Sequence, residues 1–163
     1  MPNLLEKKSV KKVKEFFKNI NENIELILLD ETAKTAKDAA KSLKKEVGAI
    51  IKSLLFKNEK KNEYYLCLVS GDQYISLHKL SKIINGNIIV KANAAECKEM
   101  TGFSIGGISP VAHTNAPTRI FIDENLSKFT TIYGAAGNPY VVFGISFKKL
   151  CSITKGEINS IVE

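Results

Sequence analysis

At 163 residues, 44% of them hydrophobic and 25% charged, the chain fits one ordinary globular domain, able to bury roughly two thirds of its unfolded surface. No apolar run approaches the roughly 20 residues of a membrane helix, so a membrane-spanning helix is not expected. The 24 basic and 17 acidic residues leave a net charge of +7; this suits a polyanion such as RNA and equally suits lysines spread for solvation, Arg119 being the only arginine.

Cys67, Cys97 and Cys151 are widely spaced, odd in number and form no CxxC pair, with only His78 and His113 to join them. Neither a zinc site nor a disulfide framework is expected, and nothing calls for a cofactor. Cys67 and Cys151 stand among leucines and isoleucine and read as small core hydrophobes. The opening Met1-Pro2-Asn3-Leu4-Leu5-Glu6 has no apolar signal core, which makes the cytoplasm the expected location.

Val10, Val13, Phe16, Phe17 and Ile20 recur at three- and four-residue steps, predicting an amphipathic helix of about three turns. Its other face carries Lys7, Lys8, Lys11, Lys14 and Lys18, either solvated or turned to RNA. Residues 24–29 read as a strand. Thr35 and Asp38 start a second helix, whose Ala36, Ala39, Ala40 and Leu43 form a small-residue face and which Gly48 ends or follows. Residues 50–56 and 64–69 read as a hairpin joined by the polar segment 57–62, with a turn at Ser70-Gly71-Asp72. A helix over 76–84 stops at Gly86; a strand at 88–90 precedes a short helix capped by Asn93 and running through Cys97. His78, on the lysine-flanked helix, is expected to be structural or exposed. Residues 119–122 form a strand, 131–133 and 140–145 flank a loop of Gly134, Ala135, Ala136, Gly137, Asn138 and Pro139, and the C-terminus reads as two short helical turns. With no repeat or linker, the expectation is a single compact α+β domain over residues 1–163. Its sheet is mixed and mostly antiparallel, partly barrel-like and surrounded by helices.

The segment Gly102-Phe103-Ser104-Ile105-Gly106-Gly107-Ile108-Ser109-Pro110 concentrates three glycines and a proline in a turn that lets a ligand approach the backbone. Lys52 stands inside the apolar run Ile50-Ile51-Lys52-Ser53-Leu54-Leu55-Phe56, where a cation needs an assigned partner unless it sits on an edge with its head in solvent. The glycine spacing is no dinucleotide fingerprint, and neither a phosphate-binding GxxxxGK[ST] nor a GxSxG nucleophile elbow occurs.

These residues, in this order, resemble the YbaK/EbsC family, the editing domains of prolyl-tRNA synthetase and their free-standing relatives. Thr35-Ala36-Lys37-Asp38-Ala39-Ala40 is similar to its opening helix and Gly48-Ala49-Ile50-Ile51-Lys52-Ser53-Leu54 to its lysine-bearing strand. Gly106 and Pro110 take the GxxxP positions of its loop. Asp123-Glu124-Asn125-Leu126 and Gly134-Ala135-Ala136-Gly137-Asn138 follow in place. The family core spans 31–163, with residues 1–30 as an N-terminal helix and strand.

The resemblance implies a metal-independent esterase that deacylates mischarged aminoacyl-tRNA in trans. Its catalytic set is Lys52 with Gly106, Gly107, Ile108, Ser109 and Pro110. The loop backbone holds the aminoacyl group, Lys52 meets the terminal adenosine or its phosphate, and a ribose hydroxyl assists the attacking water. Substrate contacts are expected from Gly134, Ala135, Ala136, Gly137 and Asn138, and from His113, either as a proton shuttle or as a side chain bonded to its own turn. The partner is the acceptor end of aminoacyl-tRNA, of the proline tRNA in particular, with transient contact to prolyl-tRNA synthetase. Cysteine-removing relatives carry an aspartate where this chain has Tyr140-Val141-Val142-Phe143, which points instead to alanine or another small residue. The alternatives are a catalytically silent tRNA-acceptor or nucleotide-binding module on the same fold and a structural interaction domain.

Overall fold

The computed structural model describes residues 3–85 and 88–163. After a 3-10 turn at Leu4–Glu6, helix α1 (Lys8–Asn19) buries Val10, Val13 and Phe17 of the stripe its periodicity predicts, whereas Ile20, the C-cap beyond the helix, is exposed. Strand β1 is Leu26–Leu28. Helix α2 (Ala36–Leu43) starts where the Thr35 hydroxyl accepts the Asp38 amide at 3.1 Å; its small Ala39 and Ala40 let it lie against Ile50. Lys44 ends it at φ 56°, and Gly48 falls in the 3-10 turn Val47–Ala49 that follows. Strands β2 (Ile51–Asn58) and β3 (Glu63–Ser70) pair as an antiparallel hairpin with Lys52 opposite Val69.

Helix α3 (Leu77–Ile83), capped by Ser76, and strand β4 (Ile89–Lys91) come next. Helix α4 (Ala94–Thr101) opens with a capping box between Asn93 and Glu96. Strands β5 (Arg119–Asp123), β6 (Ile132–Asn138) and β7 (Val141–Ile145), helix α5 (Phe147–Thr154) and strand β8 (Glu157–Asn159) complete the chain.

Two sheets result. One is antiparallel, in the order β1-β7-β6; the other is mixed, in the order β4-β2-β3-β5-β8, with β5 parallel to both β3 and β8. They do not close into a barrel, but a parallel bridge between Ile50 and Tyr133 joins them along one seam. The main core fills the space between the sheets: Ile51, Leu55, Leu66 and Leu68 from one meet Ile132, Val141, Phe143 and Ile145 from the other, with α1 and Phe103 packed in. A second core lies on the opposite face of the larger sheet, where Phe56, Tyr65, Cys67 and Phe121 meet Leu80 of α3 and the C-terminal Ile161 and Val162.

Four expectations need correction. Residues 134–138 are not a loop but most of β6, because pairing with β7 supplies the hydrogen bonds that their weak strand propensity does not. The C-terminal segment is one two-turn helix and an edge strand, β8 being held by β5. Helix α4 continues past Cys97 to Thr101, and β1 is shorter than 24–29. Met1 and Pro2 of the opening segment and Gly86, the expected stop of α3, lie outside the described residues.

The segment from α4 to β5 carries the glycine motif, and it is tied down throughout. At the start of α4, the Lys57 ammonium 2.9 Å away, the Asn93 amide and the Tyr64 hydroxyl hold the Glu96 carboxyl far below its usual range, at about 2, which fastens the helix to the hairpin. Beyond it, Lys12 donates to the Thr114 hydroxyl at 2.6 Å and lies 5.0 Å from the Phe103 ring centre. His113 donates from Nε2 to the Ser109 carbonyl at 2.8 Å. Most of all, the loop lies backbone against backbone on β6. A Cβ at Gly107 would stand 2.9 Å from the Asn138 nitrogen, and one at Gly134 would stand 2.9 Å from Cγ of Pro110.

Gly107→Ala and Gly134→Ala are therefore expected to push loop and strand apart, costing roughly 1–3 kcal/mol by overpacking. Gly106 differs: at φ +95° it needs a left-handed backbone, but the nearest atom to its Cβ position, Lys34 Cγ, is 3.5 Å away. Gly106→Ala should cost only the strain of that conformation, about 1–2 kcal/mol. Thermal melts of the three variants test this, and a wild-type melt for Gly107→Ala would mean that the loop is not seated on β6.

A second expectation follows from His113. Burial pushes its imidazole below the ordinary value, outweighing the Ser109 bond. The unfolded chain then binds more protons than the folded one as pH falls below about 6.5, so the melting temperature should drop between pH 7.5 and 5.5. His113→Gln should flatten that drop by roughly 2–4 °C, the effect of about 1 kcal/mol in a domain of this size.

Candidate active site

A cavity of about 280 Å³ opens at the seam where the two sheets meet. Four pieces of chain form its wall: the segment leading into α2 (Ala33, Lys34, Thr35, Ala36 and Ala39), residues 50–55 at the start of β2, Ile105, Gly106 and Ile108 of the glycine loop, and Tyr133, Gly134 and Ala135 of β6. Lys91, Cys97 and Val142 complete it. Small residues dominate the two helical and strand walls, which is what leaves the space open.

Lys52 shares the β2 face of Leu54 and Phe56, which pack in the second core. At the end of that core the turn after β3 crosses over it. The Lys52 ammonium donates to the Gln73 carbonyl and lies 4.8 Å from the centre of the Tyr74 ring, itself 71% exposed. Burial lowers its pKa, while the nearby carboxylates of Asp72 and Asp123 act in the opposite sense. Asp123 is buried and fixed by the Ser70 amide at 3.0 Å and the Asn125 amide at 2.9 Å. This cation thus has one carbonyl partner and two carboxylates at longer range, and its remaining donors are available to a ligand. Ser53, the next residue of β2 and so on its opposite face, also lines the cavity, and its hydroxyl is buried with no hydrogen-bond partner among the described residues, a state that costs free energy.

Among the described residues, no carboxylate or imidazole stands in this wall; its ionisable side chains are Lys34, Lys52, Lys91, Tyr133 and Cys97. Burial raises the Cys97 pKa, which keeps the group a thiol and a poor nucleophile. Among the described residues, no three His, Cys, Asp or Glu side chains gather as metal ligands, and no helix is long and apolar enough to cross a membrane.

Of the residues singled out from sequence, Lys52, Gly106, Ile108, Gly134 and Ala135 meet in this cavity. Gly107, Gly137 and Asn138 line a neighbouring cavity of about 210 Å³ on the other side of the loop. The remaining four line neither: Pro110 packs on Gly134, Ala136 is buried in the main core, and Ser109 and His113 are bonded to each other. Sequence reasoning missed Ser53, Thr35 and Tyr133 as wall residues. The first directly follows Lys52, but a serine in an apolar strand carries no signal of its own until the strand's face is known.

The sequence pattern of the aminoacyl-tRNA editing domain matches residues 30–152. The chain is 25% identical over 150 residues to the uncharacterised YwhH of Bacillus subtilis, covering 92% of this chain and 94% of that protein. It is 25% identical over 128 residues to a protein of Enterococcus faecalis provisionally named Cys-tRNA(Pro)/Cys-tRNA(Cys) deacylase EbsC, covering 78% and 76%. A stretch of 103 residues is 30% identical to the proline–tRNA ligase of Lactobacillus acidophilus, 63% of this chain and 18% of that enzyme; the chain spans less than a fifth of such ligases. A solved structure provisionally assigned as a trans-editing enzyme for prolyl tRNA synthetase superposes with a TM-score of 0.89 at 32% identity, over 96% of this chain and 98% of that one. The cavity at the sheet seam, with its lysine and its glycine loop, therefore belongs to a member of the aminoacyl-tRNA editing domain family, a deacylase by class.

Proposed function

We propose that this protein hydrolyses, in trans, small amino acids wrongly esterified to the proline tRNA, alanine foremost. The observation that carries the reading is the composition of one cavity: Lys52 at one wall, and a glycine loop and small strand residues at the other. The cavity offers a cation at one wall and a small-residue surface to an aminoacyl group at the other.

In this reading the terminal adenosine enters beside Lys52, whose ammonium donates to its ribose or phosphate oxygens. The aminoacyl group lies against Gly106 and Ile108. Water attacks the ester carbonyl carbon, negative charge builds on the carbonyl oxygen, and collapse breaks the bond from that carbon to the ribose oxygen. The leaving oxygen takes up the proton that the water gave, and free amino acid and tRNA depart. An aminoacyl ester is already activated, so positioning and charge stabilisation supply most of what is needed. With no carboxylate or imidazole in the wall, the neighbouring ribose hydroxyl relays the proton. His113, its Nε2–H committed to Ser109, serves as a brace of the loop.

The wall also bears on the amino acid. Val142, at the strand where cysteine-removing relatives carry an aspartate, lines the cavity together with Ile51, Leu55 and Ile108. Such a surface favours a short aliphatic side chain. Discrimination of one methylene in an apolar pocket is worth only about 1–3 kcal/mol, so preference among small residues should be graded, not absolute. A transient contact with prolyl-tRNA synthetase would deliver the mischarged tRNA.

Deacylation of proline tRNA charged with alanine, serine, cysteine or proline tests the assignment. Alanine should be released fastest and proline spared. A preference for cysteine would overturn the specificity, and binding of every tRNA with hydrolysis of none would make the protein a silent acceptor-end module. Lys52→Ala is expected to lower kcat/KM for the preferred ester by about 100-fold, the usual scale for a lost positioning contact, with far-UV circular dichroism unchanged. Activity within about threefold of wild type would remove Lys52 from the site.

A further inference from the structure

The second cavity, about 210 Å³ in volume, shares Ile105 with the first and lies across the loop from it. Its wall joins two regions far apart in sequence. Lys7 and Ser9 come from the start of α1, while Lys98 and Ser104 come from α4 and the loop behind it; Gly107 and Asn138 close the floor. The Lys12 ammonium, outside this lining, feels the charge of both Lys98 and Lys8. Lys98 donates to the Gly102 carbonyl at 3.2 Å and Lys12 to Thr114. Among the described residues, none of Lys7, Lys8, Lys12 and Lys98 has a carboxylate partner; the ion pair on this helix joins Lys11 to Glu6. Two lysines, two serines and no acid in the lining of one concavity make a place for an anion. The ridge between the two cavities is Ile105, an isoleucine 59% exposed to water.

We propose that this second cavity binds a backbone phosphate of the single-stranded 3′ end of the tRNA, held by Lys7 and Lys98, while the terminal nucleotide occupies the first. The inference rests on the deacylase reading of the first cavity. A strand entering the active site must pass a neighbouring phosphate over its rim, and the lysines lie on the rim that Ile105 defines. Ile105 itself then supports the ribose or base between the two sites by apolar contact. Half of the phosphate grip comes from residues before position 30, outside the segment that matches the family pattern. The N-terminal helix thereby becomes part of the substrate channel as well as a wall of the core.

The experiment compares aminoacyl-tRNA with aminoacyl-adenosine, which has the ester but no phosphate. Lys7→Ala/Lys98→Ala should raise KM for aminoacyl-tRNA about tenfold with kcat nearly constant. The ratio of kcat/KM for aminoacyl-tRNA to that for aminoacyl-adenosine should fall by the same factor. A control with equal charge loss, Lys60→Ala/Lys61→Ala on the β2–β3 turn, should leave that ratio at the wild-type value. The slope of log affinity against log salt should become shallower by about 1 in the Lys7/Lys98 variant, as for one lost phosphate contact. An equal loss on both substrates would mean that the lysines only support the loop, and a ratio like that of the control would mean that no phosphate binds there; either result overturns the proposal. Should the wild type hydrolyse neither ester, anisotropy with a labelled oligonucleotide ending in CCA decides separately. Weaker binding by the Lys7/Lys98 variant alone would keep the phosphate site and discard the enzyme, and equal binding by all three proteins would discard the site.

Discussion

The seating of the glycine loop on β6 is the constraint on which the rest of this structure depends. Gly107 lies on the Gly137–Asn138 backbone and Pro110 on Gly134, so loop and strand approach more closely than any side chain would allow. One contact line thereby sets the depth of both cavities: the first is open on the Gly106 side of the loop, the second on the Gly107 side. Glycine at 107 and 134 serves packing in the first place, and the approach of a ligand's backbone-facing atoms is a consequence. Gly106, with a left-handed backbone and only ordinary contacts at its Cβ position, lies in the wall of the first cavity.

Much of this was legible in the sequence, and the reasons differ by residue. Thr35 and Asn93 announce helix starts because capping is a local hydrogen bond that needs only a few adjacent residues. The α1 stripe and the β2–β3 hairpin follow from period alone. Lys52 stood out because a cation among isoleucines and leucines must have a partner, and the Gln73 carbonyl supplies it. What was hidden depends on distant pairing. Residues 134–138 look like a loop, being small and glycine-rich, and only their ladder to β7 makes them a strand. Strand β8 exists because β5 offers a parallel edge some forty residues earlier in the chain. Ser53 became a candidate only once its hydroxyl was known to be buried and unpaired in the cavity.

The same distinction separates the site residues. Short motifs identify which segments matter but not which way each residue faces. Along Gly106, Gly107, Ile108, Ser109 and Pro110, the chain alternates between the cavity wall, the β6 backbone and the buried interior. Ser109 uses its carbonyl for His113 and its hydroxyl for the Val111 amide. A contiguous motif thus contributes only two of its five members, Gly106 and Ile108, to the wall of the first cavity. The left-handed Ala112, at φ 67°, adds to this: it turns the chain so that His113 folds back onto the loop instead of toward the cavity.

Charge completes the argument. A net charge of +7 says little by itself, since lysines solvate any surface. Their placement says more. Lys34, Lys52 and Lys91 surround one cavity and Lys7 and Lys98 the other, none of them in an ion pair among the described residues. Ion pairs form elsewhere: Lys57 with Glu96, Arg119 with Glu157, Lys149 with Glu22. Paired charges hold elements together, as at the start of α4, whereas unpaired charges of one sign gathered at concavities repel one another and are relieved by an anion. The glycine loop stands between the two cavities, so the segment that shapes them has an unpaired group of lysines on each side.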